Sequence, residues 1–82
     1  METRSLSTIA QEIYKDRANW KGGWDFAFPY LSAMMQLDKI TDNYVLDSGR
    51  SIVCYFLSNA SQWRGEKAKV IKKELHQMLK QK

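Results

Sequence analysis

Cys54 and His76 are the one thiol and the one imidazole in this chain of 82 residues. Only together could they supply an activated thiolate nucleophile, and such a pair needs a third group to order it. Neither residue has one in the surrounding sequence. Cys54 lies within the apolar run 52–57, and His76 stands among lysines. A lone cysteine in apolar surroundings behaves as a small hydrophobe, so Cys54 is expected to be buried and inert. One cysteine and one histidine also fall short of the four ligands of a structural zinc site.

Asp38, Asp42 and Asp47 are carboxylates in or beside one segment, spaced four and five apart. A calcium loop counted from Asp38 would want oxygen ligands at its third and fifth positions, glycine at the sixth and glutamate at the twelfth. The third is Ile40, the sixth Asn43 and the twelfth Gly49. Turn and capping roles suit these aspartates better. Lys21-Gly22-Gly23-Trp24 lacks the two separated glycines and the Lys-Ser/Thr of a phosphate-binding loop, and reads as a helix stop followed by a turn. No Gly-x-Ser-x-Gly or Ser-x-x-Lys arrangement occurs. The expectation is a protein that is not an enzyme and takes no metal or cofactor.

The arrangement above background is a basic stripe. Lys69, Lys73, His76 and Lys80 are spaced four, three and four apart, which aligns them on one helical face, and Lys72 flanks them. From Arg64 onward, seven basic residues (Arg64, Lys67, Lys69, Lys72, Lys73, Lys80, Lys82) face Glu66 and Glu74. That segment therefore carries +5, and the rest of the chain −1, of a net charge of +4. Nucleic-acid phosphate, an acidic protein surface or an anionic membrane would each suit such a stripe. The plainer reading is a solvated face, with lysines favoured near a helix C-terminus by the macrodipole. Lysine in place of arginine, which recognises phosphate through two parallel hydrogen bonds, favours the plainer one.

Elements that would position these residues follow from periodicity. Leu6, Ile9, Ala10, Ile13 and Tyr14 recur at helical spacing, which predicts a helix over residues 7–19. Ser7 would cap it, Thr8 with Gln11 offers a capping box one residue later, and Gly22-Gly23 lies beyond its end. Arg17, on its apolar side, is expected to meet the last carbonyls or a loop carboxylate. A second helix over 26–37 would be capped by Asp25, with Pro29 in its first turn. Its face would be Phe26, Tyr30, Ala33, Met34 and Leu37. Phe28 and Met35 fall on another side, either packed under the Trp20–Trp24 loop or offered as a contact surface; intramolecular packing is preferred, with a homodimer as the alternative.

Residues 38–46 read as a loop anchored by Ile40, Tyr44 and Leu46; a short strand there would have no evident partner. The run 52–57 could be a buried strand by composition. Helical spacing of Ser51, Tyr55, Ser58 and Gln62 argues instead for a helix over 48–60, capped by Asp47 or Ser48 and central in the fold, with Ile52, Val53, Phe56 and Leu57 buried. A last helix over 65–79 would bury Ala68, Ile71, Leu75, Met78 and Leu79. Most of the aromatics are assigned to the core.

The fold class expected is all-α, a compact bundle of about four helices forming one domain over residues 1–82. A composition 44% hydrophobic and 27% charged argues against a disordered chain. One cysteine excludes an intramolecular disulfide. Residues 1–7 hold no apolar stretch of the kind found in secretory leaders, and 52–57 is far shorter than the ~20 residues that cross a bilayer. A cytoplasmic protein without membrane contact is expected.

The motifs Trp24-x-Phe26-x-Phe28-Pro29-Tyr30-Leu31-x-Ala33-Met34, Asp47-Ser48-Gly49 and Tyr55-Phe56-Leu57-x-Asn59-Ala60-x-x-Trp63-Arg64-Gly65 resemble a family of short uncharacterised proteins of bacteria and their phages or plasmids. The resemblance spans about residues 6–79. It implies accessory or mobile-element biology and brings no activity, ligand or catalytic residue. The expected function is a protein-binding or adaptor module with an unidentified protein partner. The alternative is a nucleic-acid-binding accessory protein using Lys69, Lys72, Lys73, His76 and Lys80.

Overall fold

The computed structural model describes residues 4–44 and 46–80; Lys82, counted above in the basic segment, lies outside them. Among the described residues the chain is mostly helical: α1 (Leu6–Lys15), α2 (Trp24–Met34), α3 (Gly49–Ser58) and α4 (Glu66–Lys80). A short antiparallel pair, β1 (Asn43–Tyr44) and β2 (Asp47–Ser48), makes the fold not purely α.

Helix α1 begins and ends earlier than its periodicity predicts, and tertiary contacts meet both ends. Ser5, not Ser7, is the cap: its Oγ accepts the Thr8 N–H at 3.1 Å. The N–H groups of Leu6 and Ser7, which no helical carbonyl can satisfy, donate to Asp38 O at 2.8 Å and Leu37 O at 2.9 Å. The chain after α2 thus extends the first turn. Asp16 closes the helix, and the backbone tightens into a 3-10 turn over Arg17–Asn19. Asp16 Oδ1 accepts the Asn19 amide at 2.8 Å, which holds that tighter turn in place.

Gly23, not Asp25, precedes α2 as its cap, at φ +77°, a left-handed conformation that glycine adopts without steric cost. Helix α2 therefore starts two residues earlier than expected, and Pro29 falls in its second turn, where it leaves Asp25 O without a helical donor. Of the face expected from the spacing, Ala33, Met34 and Leu37 are buried and Tyr30 is half-buried; the early part of the buried ridge is Ala27 and Leu31 in place of Phe26. Phe26 is 73% exposed.

The loop strand has its partner inside the same loop: Asn43 pairs with Ser48 and Tyr44 with Asp47. Asp42 organises the approach, its Oδ2 accepting the N–H groups of Asp38 at 3.1 Å and Lys39 at 2.9 Å. Ile40 is buried and Tyr44 half-buried, as anchors should be, but Leu46 stands 96% exposed and anchors nothing. Gly49 is needed for closeness: a Cβ there would lie 2.9 Å from Ile40 O.

Ser48 caps α3, its Oγ accepting the Ser51 N–H at 3.1 Å. Ile52, Val53 and Phe56 are fully buried, whereas Leu57 is half-buried. Helix α3 packs most extensively on α2, and Ala68, Ile71, Leu75 and Met78 of α4 complete the core. The segments before α2 and α4 are clipped together where Lys21 N–H donates to Gln62 O at 2.9 Å and Arg64 N–H to Asn19 O at 3.3 Å. Above that clip the Trp20 and Trp63 rings stack at 5.6 Å with 7° between planes.

Candidate functional site

Two surfaces, one aromatic and one basic, stand out against the packed interior. Helix α2 carries aromatics on both flanks of its buried ridge. On one flank, Trp24 and Phe28 meet Tyr14 of α1, with ring centroids 5.7 Å apart for Trp24–Phe28, 5.9 Å for Tyr14–Trp24 and 6.4 Å for Tyr14–Phe28. Arg17 lies over the Tyr14 ring at 4.5 Å and donates to Tyr14 O at 3.2 Å, the carbonyl contact expected of it. Phe28 makes tilted ring contacts within the chain yet stays 39% exposed, and Met35 packs half-buried against the core. On the other flank, Phe26 and Tyr30 lie one turn apart, and Tyr30 meets Tyr55 of α3 at 5.5 Å. Phe26 is 73% and Tyr55 52% exposed, so this flank is open to solvent. These rings, expected mostly in the core, lie off the Ala27–Leu31–Met34 ridge, and Tyr30 meets Tyr55 because α2 and α3 pack side by side.

The second surface is α4. Lys69, Lys73, His76 and Lys80 are all exposed, opposite the buried face of that helix. Of the two acids of this helix, the exposed Glu66 lies one turn before Lys69 at the edge of the stripe, and Glu74 lies off it. Arg4 binds Glu74 through two parallel bonds, Nε to Oε2 at 3.0 Å and Nη2 to Oε1 at 2.6 Å, and also pairs with Glu12. The Glu74 hydrogen bonds, with a lesser contribution from Glu12, raise the Arg4 pKa above its ordinary range despite partial burial. Lys67 approaches Glu12 at 3.7 Å. A groove of about 500 Å³ beside this cluster is lined by both signs of charge and by Val70 and Ile71.

Lys72 departs from the stripe with which its spacing groups it. It turns inward, its Nζ donating to Trp63 O at 2.8 Å and lying 5.8 Å from the Trp63 ring centroid. Desolvation, reinforced by the like charge of Arg64, lowers its pKa from the ordinary lysine value.

Cys54 is exposed, against the expectation of burial, because the core side of α3 is Ile52–Val53–Phe56 and Cys54 lies beyond it. It does share a shallow groove of about 310 Å³ with Leu57, Ser58, His76 and Leu79. The fold thereby brings the thiol and the imidazole to one surface between α3 and α4, a proximity that no local spacing encodes. Among the described residues no third histidine, cysteine or carboxylate joins them as a metal-binding group. Asp42 is held in the turn described above, and no helix among the described residues is long and apolar enough to cross a membrane. Comparison of the chain with protein-family models, with curated proteins and with solved structures gives no match.

Proposed function

We propose that this chain is a small, non-enzymatic protein-binding module that contacts its partner through Phe26, Tyr30 and Tyr55. One observation carries the reading: Phe26 lies on a helix with an adjacent buried ridge, yet is 73% exposed and one turn from a Tyr30–Tyr55 contact. Clustered exposed aromatics are unfavourable in water unless something covers them, and tyrosine and tryptophan dominate the energetics of protein interfaces. Ser58 and Asn59 near Tyr55 supply a polar border of the kind found around interface cores; Asn59 Nδ2 donates to Tyr55 O at 2.8 Å.

The setting proposed, accessory or mobile-element biology in the bacterial cytoplasm, rests on the motif resemblance. The test is retention of proteins from a nuclease-treated host lysate on immobilised wild type and on Phe26→Ser/Tyr55→Ser. A partner retained by the first and lost by the second is expected. A second copy of this chain is the competing occupant, and light scattering that shows a dimer lost in the same variant identifies it. A partner bound equally by both proteins refutes the aromatic surface.

A further inference from the structure

We infer that the outer face of α4 binds the phosphodiester backbone of nucleic acid, through Lys69, Lys73 and Lys80 with His76 between them. This surface is separate from the aromatic one and goes beyond the protein-binding reading. Three observations carry it.

The first is alignment. At the α-helical rise, Lys69 to Lys80 spans about 16 Å, with steps of roughly 6, 4.5 and 6 Å between the four residues. They fall within an arc of about 60° on a face whose members are all exposed.

The second is the segregation of charge by the tertiary fold. Glu74 lies about 130° around the helix from the stripe, where Arg4 takes both its oxygens. Glu12 is shared by Arg4 and Lys67. Among the described residues no carboxylate forms an ion pair with Lys69, Lys73 or Lys80; the exposed Glu66, one turn before Lys69, is the single acid at the edge of the stripe, so three lysines face solvent against one carboxylate. Arg64 and the inward-turned Lys72 add positive potential at the start of the same helix, close enough that Arg64 helps to lower the Lys72 pKa.

The third is what the face lacks. A helix that lies in a membrane surface buries an apolar side in lipid. The apolar side of α4 is consumed by the core, and Val70 is the single large hydrophobic residue of α4 that stands exposed. An interface with a folded acidic protein is anchored by aromatic or arginine side chains, and none lies in the stripe. A row of lysine point charges without base-reading side chains fits a linear polyanion contacted through its backbone, and predicts binding without sequence preference.

The test is a fluorescence-anisotropy titration of the full chain against a labelled 20-base-pair duplex and the corresponding single strand, between 50 and 200 mM salt. Dissociation constants of about 10⁻⁶ to 10⁻⁴ M are expected at the lower salt, with log K falling against log salt at a slope of roughly −2 to −3 for three lysine contacts. Lys69→Glu/Lys73→Glu/Lys80→Glu should weaken binding at least about tenfold for any sequence. The corresponding glutamine variant, which keeps good helix formers and adds no charge, should show the same direction of change. A control of equal charge change, Lys15→Glu/Lys21→Glu/Lys39→Glu at three exposed sites outside α4, should bind within about threefold of wild type.

Equal loss in the control reduces the effect to net charge and overturns the assignment. So does undetectable binding at 50 mM salt, or unchanged binding by the glutamine variant. Binding to phosphatidylglycerol vesicles in the absence of nucleic-acid binding overturns it in favour of a membrane surface.

Discussion

Trp63 Nε1 donates a 2.8 Å hydrogen bond to Asp16 Oδ2 across 47 residues of sequence, and the Trp63 side chain that does so is fully buried. The bond joins the C-cap of α1, which follows Lys15, to the segment before α4. Asp16 is committed to Trp63 and Asn19 and leaves the helical path.

Asp16→Ala should therefore cost about 1–3 kcal/mol, the penalty of leaving a buried donor unpaired. Asp16→Asn, which retains an acceptor, should cost less. Urea denaturation of the two variants measures both, and equal costs would mean that the contact to Trp63 contributes little.

Phe56→Ala should be the larger loss, about 3–5 kcal/mol. Phe56 is fully buried and lies against Trp20 at 6.0 Å and Trp63 at 6.4 Å. In a domain of this size that is a large share of the total stability. A variant melting within a few degrees of wild type would contradict the packing of α3 described above.

The two phenylalanines of α2 should separate cleanly. Phe26→Ser is expected to change stability by less than about 0.5 kcal/mol, as at other exposed positions. Phe28→Ser loses its contacts with Trp24 and Tyr14 and should cost about 1–2 kcal/mol. Thermal melts rank them directly, and the reverse order would exchange the assignments of the two flanks. Sedimentation of Phe28→Ser tests self-association through that flank; the mass is expected to be unchanged from wild type.

Lys72 should leave a signature at alkaline pH. Its pKa is lower in the folded protein than in the unfolded chain, so just below the ordinary lysine value of 10.5 the unfolded chain holds a proton that the folded one has released. Stability rises with pH wherever the unfolded state binds more protons. Wild type should therefore gain stability relative to Lys72→Gln as pH rises through that window. Chemical denaturation of both proteins at neutral and alkaline pH reads the difference, and a gap that stays constant would place Lys72 in solvent.

Local pattern alone determines that this chain is mostly helical, where α3 and α4 run, and that Ile52, Phe56, Ile71 and Leu75 lie inside. The physical reason is that a 3.6-residue repeat, a Ser48 cap and a run of strong helix formers act within a few residues of one another. The sense of α2 needed tertiary structure. Large apolar residues flank both sides of Ala27, Leu31 and Met34, so periodicity cannot say which side faces inward, and the small Ala27 rather than Phe26 takes the core position. The ends of α1 were equally hidden, since Leu37 O, Asp38 O and Trp63 meet them from distant parts of the chain. The same holds for both candidate surfaces. The lysine spacing on α4 was legible, as was the placement of Glu74 on another side of the helix, but that Arg4 takes both Glu74 oxygens from 70 residues away was not. The Phe26–Tyr30–Tyr55 flank exists only because α2 and α3 pack side by side. Long-range pairings of this kind leave no periodic trace in a single sequence, and only the folded chain decides them.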